Sequence, residues 1–156
     1  MKRIFHFLIV SLAILFVACD DKIETEVPTL EVNAINLDGT WELAHWNDAP
    51  LADSTYVYIV LNRKNQTFRI YENMASMYPR LVTGSFELKK DYKVGDIISG
   101  IYDFEGGSWN HEYLITNLYK ESMTWTATDD ASDVQQFMRV AEVPSYIVEA
   151  VREIKE

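Results

Sequence analysis

Three features of this 156-residue chain predict an all-β fold: an eight-stranded antiparallel up-and-down barrel followed by a C-terminal helix. From residue 39 onward, short segments rich in Val, Ile, Tyr, Phe, Trp and Thr alternate with turn residues, the pattern of half-buried strands. The connections between these segments are too short to carry crossover helices, so neighbouring strands run antiparallel. After Pro144 the apolar spacing becomes helical. Eight consecutive strands left as an open sheet would expose two edges, and closure into a barrel removes both.

The chain opens with Lys2 and Arg3, then an apolar run over 4–18 broken only by His6 and Ser11. This run is shorter than the roughly 20 residues a membrane-spanning helix needs. It ends on a small residue, Ala18, at a candidate cleavage point, so residues 1–18 read as a signal peptide. The alternative is an uncleaved N-terminal anchor. Residues 19–36 are acidic, contain Pro28 and lack sustained periodicity, so they read as a tether. A partial alternation of Ile23, Val27, Leu30 and Val32 leaves a short strand open there.

The domain is expected over 37–156. Its strands are predicted at 39–47, 55–62, 66–72, 80–89, 96–104, 109–118, 121–128 and 134–141. Turn signals fall at Asn62-Arg63-Lys64-Asn65, Lys90-Asp91, Glu105-Gly106-Gly107 and Asp129-Asp130. The segment 72–80, "ENMASMYPR", reads either as a lid over the barrel mouth or as an irregular hairpin. A helix is predicted over 144–156, capped by Ser145. Its stripe of Ile147, Val148, Val151 and Ile154 would pack against the outside of the sheet.

Alternation assigns faces. With Trp41 inward, Leu43 and His45 follow. Polar Arg69, Glu87, Ser99, Asp103, Thr124 and Thr126 face water, which turns Phe68, Ile70, Phe86, Leu88, Ile98, Tyr102, Phe104, Met123 and Trp125 inward. Most of that set is plain core. His45, Tyr102 and Trp125 combine apolar bodies with polar tips and are the candidates for orienting a ligand in a partly apolar cavity. Tyr56 and Tyr58 share one face of their strand, where they suit either sugar stacking or protein contact, or pack across strands.

Several chemistries find no support. Lys and Arg number 14 against 24 Asp and Glu, a net charge of −10. Nucleic acid needs a basic footprint, so it is excluded as a partner. No cofactor or metal is expected. His45 and His111 are the only histidines after the signal segment, and His111 beside Glu112 on a strand would face the opposite way. The acidic run 129–133 lacks the glycine and distant Glu of a helix-loop-helix calcium site and reads as a hairpin tip. There is no Gly-x-Ser-x-Gly elbow, no phosphate-binding glycine loop and no cysteine beyond Cys19. An enzyme is therefore not expected.

Phe16-Val17-Ala18-Cys19 resembles the lipobox of bacterial lipoproteins, with Phe16 where Leu is usual. That resemblance implies cleavage before Cys19, acylation of its thiol and new amino terminus, and attachment to the cell envelope. One acyl chain anchors only marginally at about 0.8 kcal/mol per methylene, whereas several hold stably. Acids just after the cysteine resemble an export signal in some such proteins and an inner-membrane retention signal in others. An outer-membrane lipoprotein is the expectation, with the face undecided.

A second resemblance lies in Gly39-Thr40-Trp41 opening the first strand and Arg139 on the last. Lipocalins begin their barrel with Gly-x-Trp and lay an Arg from the final strand across that Trp. The chain is thus similar to the lipocalin-like domains of bacterial lipoproteins. In such a domain Gly39, Trp41 and Arg139 have a structural role, closing one end. The resemblance implies a module for a small apolar or amphipathic ligand or a carbohydrate. The alternative is a structural protein with a filled barrel that docks an envelope partner.

Overall fold

The computed structural model describes residues 27–153, except 75, 77 and 105. The expected signal peptide, Cys19, the first part of the tether and Ile154 lie outside the described residues.

A short helix, α1 (Ala34–Leu37), precedes nine strands: β1 (Gly39–Trp46), β2 (Ala49–Pro50), β3 (Val57–Asn62), β4 (Thr67–Glu72), β5 (Arg80–Asp91), β6 (Gly95–Tyr102), β7 (Tyr113–Thr116), β8 (Ser122–Ala127) and β9 (Val134–Val140). Helix α2 (Ser145–Glu153) ends the described chain. From β3 to β9 each strand pairs antiparallel with the next, and β1 pairs with both β3 and β9. That last pairing closes the cylinder. The two-residue β2 hangs on the end of β1, outside the cycle. Eight strands therefore form an antiparallel up-and-down barrel with a C-terminal helix, the predicted fold. At this strand number the interior is just wide enough to fill with side chains or to hold one small ligand.

Alternating strand residues supply the interior. Trp41, Phe68, Phe86, Ile98, Met123 and Phe137 are each at most 2% exposed and belong to one core cluster. A second cluster forms on the outer surface, where Val143, Ile147 and Val151 pack with Tyr58 and Tyr71. Helix α2 thus covers the outer face of β3 and β4. The tyrosine face is its seat rather than a free surface for sugar stacking. Tyr58 is 7% exposed and donates to Glu42 at 2.8 Å.

The structure corrects the sequence reading at five places. A bulge lies between Leu43 and His45: Leu43 pairs with Phe137, but His45 pairs with Gln136. One extra residue reverses the face of everything after it, so Trp46 packs on the core and His45 turns to the other side. The strand expected at 109–118 forms only at 113–116, because Trp109 leaves the sheet line and enters the barrel, 9% exposed. Strand β6 stops at Tyr102, which leaves Phe104 on a turn at 79% exposure rather than in the core. The last residues of the expected tether fold as α1. Asn33 caps that helix by accepting from the Asn36 amide at 2.9 Å, and Leu37 is fully buried in the barrel core. Finally, α2 begins at Ser145, and the Pro144 carbonyl takes its first amides, those of Ile147 and Val148, so Pro144 stands at the cap position.

The connection between β4 and β5 is irregular, with Tyr78 69% exposed. Asn73 at its start accepts from the Tyr56 amide and donates to the Ser54 carbonyl, at 2.9 and 2.8 Å.

Candidate functional site

Arg139 organises one end of the barrel. Its register partner is Trp41, and its guanidinium carbon sits 4.0 Å from the indole centroid. The remaining donors find three backbone carbonyls, those of Lys120 at 2.7 Å, Asp38 at 2.6 Å and Asn36 at 2.6 Å. Trp41 Nε1 donates to the Leu37 carbonyl at 2.9 Å. The planar fork of Arg matches this use, since it stacks and bonds at once. Gly39 is required beside it. Its φ is +130°, and a Cβ there would lie 2.7 Å from Arg139 Nη1. Gly39, Trp41 and Arg139 thus seal this end together with α1.

The opposite half of the barrel is different. Strand β9 enters it through Phe137 and Gln135, moving away from Arg139. There a cavity of about 130 Å³ opens between apolar walls (Val57, Ile59, Ile70, Phe137) and an aromatic side (Tyr102, Trp109, Tyr113, Trp125), with Asn110 and Gln135 as its amides. The aromatic groups form a continuous array. Trp109 and Trp125 are 5.7 Å apart between centroids, Tyr113 and Trp125 5.6 Å, and Phe137 lies 4.8 Å from Trp125. Trp109 reaches this position because residue 100 is glycine, where a Cβ would overlap the indole.

The polar tips divide sharply. Trp41 and Trp46, at the two ends, each donate their indole N–H, Trp46 to Asp133 Oδ1 at 2.6 Å. The two indoles lining the cavity do not: Trp109 Nε1 and Trp125 Nε1 are buried with no protein acceptor. Tyr56 Oη is likewise buried without a partner, but Tyr56 packs with the outer cluster beneath α2. Buried polar groups are ordinarily paired, so this arrangement calls for a reason.

Asp133 anchors the rim. It is 9% exposed and accepts from Trp46, from Gln135 Nε2 at 3.4 Å and from Tyr113 Oη at 3.5 Å. Gln135 also donates to Tyr113 Oη at 3.2 Å. Burial, aided by the Asp133 charge, pushes the Tyr113 hydroxyl up to about 12. Burial also raises Tyr102, with Arg80 opposing and Glu72 adding. Both phenols are therefore neutral donors near neutral pH.

Of the three side chains expected to orient a ligand, Tyr102 and Trp125 line the cavity and His45 does not, because the bulge turned it away. Trp109, Tyr113, Gln135 and Asp133 were missed. In the sequence Trp109 reads as part of the strand expected at 109–118, and Asp133 as one more acid of the hairpin tip at 129–133. No feature of the sequence separates Asp133 from the other acids of that run; it is set inward by the entry into β9. Among the described residues no group of three His, Cys, Asp or Glu could hold a metal. His111 Nδ1 lies 2.7 Å from Asp129 Oδ1 at an exposed turn.

No protein-family model and no curated protein sequence matches the chain. Two solved structures of bovine odorant-binding protein align with it. A complex with a selenium-containing odorant is 15% identical, covering 82% of this chain and 85% of its own, at a TM-score of 0.38. The protein from nasal mucosa is 14% identical, covering 82% and 86%, also at 0.38. At that level of likeness, the barrel rests on its own hydrogen-bonded closure rather than on the comparison.

Proposed function

We propose that this chain is a lipid-anchored protein of the bacterial outer membrane, similar to lipocalin-like lipoproteins, whose barrel binds one small apolar or amphipathic molecule without chemical turnover. The observation that carries the binding reading is the aromatic-walled cavity of about 130 Å³. A dry cavity of roughly 150 Å³ takes a benzene-sized molecule, whereas drug-sized ligands occupy about 300–1,000 Å³. The occupant is thus a single ring or a short chain, because Trp41, Phe68, Phe86 and Met123 fill the rest of the barrel. A binder rather than an enzyme is favoured by the state of Asp133. It is the one buried carboxylate among the described residues, and it is committed to Trp46, Gln135 and Tyr113.

Ring-sized probes test this. Methylenecyclohexane or cyclohexanone should bind saturably, read as a change in tryptophan fluorescence and a rise in melting temperature. Val57→Phe, which fills the cavity from β3, should abolish binding while leaving the far-ultraviolet circular dichroism unchanged. If neither probe binds the native protein, the reading fails.

The anchor rests on the lipobox-like residues at 16–19. Cys19→Ser should move the protein from the membrane fraction to the soluble one. Persistence in the pellet after a carbonate wash would overturn lipidation.

A further inference from the structure

The two ends of the barrel differ in charge and in what they expose. The entry of the chain lies at the end that Arg139 seals, where the Leu30 amide donates to the Leu118 carbonyl at 2.7 Å. The β3–β4 turn reaches the same end, its Arg63 amide bonded to Asp38 Oδ1 at 2.8 Å. So does the tip of the β5–β6 hairpin, since residues 31–34 line one cleft with Lys89 and Lys90. Cys19 stands eight residues before Val27, at most about 29 Å of extended chain. The opposite end is the mouth. Its turns carry Asp48, Asp53, Asp103, Glu112, Asp129 and Asp130, and the one cation beside them among the described residues is Arg80, at the start of β5.

The tip of the β5–β6 hairpin is built to face outward. Strand β5 pairs with β4 as far as Ser85; beyond it the ladder partner is β6 alone, up to Asp91 opposite Gly95. Asp91 turns its carboxylate back onto the amides of Lys93 and Val94, at 2.8 and 3.1 Å, which fixes the turn. Tyr92 and Val94 are left 97% and 53% exposed, outside both core clusters. Lys89, Lys90 and Lys93 flank them, exposed and in no ion pair among the described residues. Against Asp91, and Asp96 across the ladder from Lys90, the three lysines leave the tip positive on a chain of net −10. A phenol and an aliphatic group set among lysines suit the interface of a bilayer, with the ring at headgroup depth and the ammonium groups on lipid phosphates.

We infer that the tip of the β5–β6 hairpin docks on an anionic lipid surface and holds the barrel sealed end down, with its mouth toward the aqueous phase. This rests on the lipid anchor read at Cys19 and says how the anchored barrel is oriented. A chain of net −10 is repelled by such a surface as a whole, so the hairpin alone does not hold it there. The anchor supplies the local concentration that makes a weak contact effective, and the segregation of charge decides which end approaches.

Tyr92→Cys at the tip and Phe104→Cys at the mouth each offer one thiol to an environment-sensitive fluorophore, Cys19 being acylated. The lipidated proteins are reconstituted into vesicles of phosphatidylglycerol and phosphatidylethanolamine. The label at 92 should shift to the blue and be protected several-fold from acrylamide quenching, while the label at 104 stays open to it. Changing Lys89, Lys90 and Lys93 to Gln in the Tyr92→Cys protein should lower the docked-to-undocked ratio about fivefold per lysine, with the protein still attached. Vesicles of phosphatidylcholine should abolish the protection in the same way. Equal quenching at 92 and 104 in attached protein overturns the inference and leaves the anchor standing. Protection that survives in the Gln variant or on phosphatidylcholine overturns it too, as does protection that grows with the protein-to-lipid ratio, the mark of a second copy on the tip. A second labelled thiol per chain together with loss from the vesicles removes the anchor and the inference at once.

Discussion

Gly39 is held to glycine twice, by a φ of +130° and by Arg139 Nη1 at 2.7 Å from where a Cβ would stand. Gly39→Ala should therefore destabilise the barrel by about 1–3 kcal/mol, read from urea midpoints. The two causes separate in a second background. Paired with Arg139→Ala, the same change should cost less, since only backbone strain remains. Equal losses in both backgrounds would mean that the guanidinium does not press on this position. Gly39, Trp41 and Arg139 were visible in the sequence through their resemblance to the Gly-x-Trp opening and terminal Arg of lipocalins, not through composition or spacing. Trp109 and Asp133 were not, because nothing in an aromatic or an acid among other acids marks it as turned inward. Their orientation comes from the backbone path, through the gap at Gly100 and the entry into β9.

At the scale of elements, seven of the eight barrel strands stand within two residues of the expected bounds. Composition and turn spacing carry that information directly. Errors arose where one element depends on another. The bulge after Leu43 cannot be read from β1 alone, since it is defined by its register against β9. It decides the site all the same: it removes His45 from the interior and brings Trp46 to Asp133. Strand β7 is four residues long because the chain before it pays out Trp109 to the core and rejoins the ladder only at Tyr113. Helix α1 is short and weakly patterned, and its stability comes from burying Leu37 and offering the Asn36 carbonyl to Arg139. The apolar stripe of α2 was legible. Its seat was not, because Tyr58 and Tyr71 do not announce in sequence that a helix will cover them.

For the whole molecule, closure by β1 and β9 joins residues about a hundred apart into one ladder, so the barrel ties the fate of each side chain to a single cooperative unit. Tyrosine titration exposes that coupling. Tyr58 is raised well above its ordinary 10.0 by burial, with the hydrogen bond to Glu42 adding, and Tyr113 is raised to about 12 by burial, with the charge of Asp133 adding. Tyr56 and Tyr102 are raised as well, chiefly by burial. In the unfolded chain these phenols lose their protons near pH 10, while the folded chain still holds them. The unfolded state then binds fewer protons, and stability falls as pH rises. The tyrosine contribution should be fully present below about pH 10 and be lost from there upward through about pH 12. A chain already at −10 gains further repulsion over the same range. Urea midpoints across this window should decline steeply. Lysines titrate there too, so the decisive comparison is Tyr113→Phe, which removes one of the raised groups and should flatten the decline measured relative to its own midpoint at neutral pH, itself lowered by loss of the bonds to Gln135 and Asp133. A decline identical in the variant and the native protein would show that Tyr113 is not held protonated by the fold.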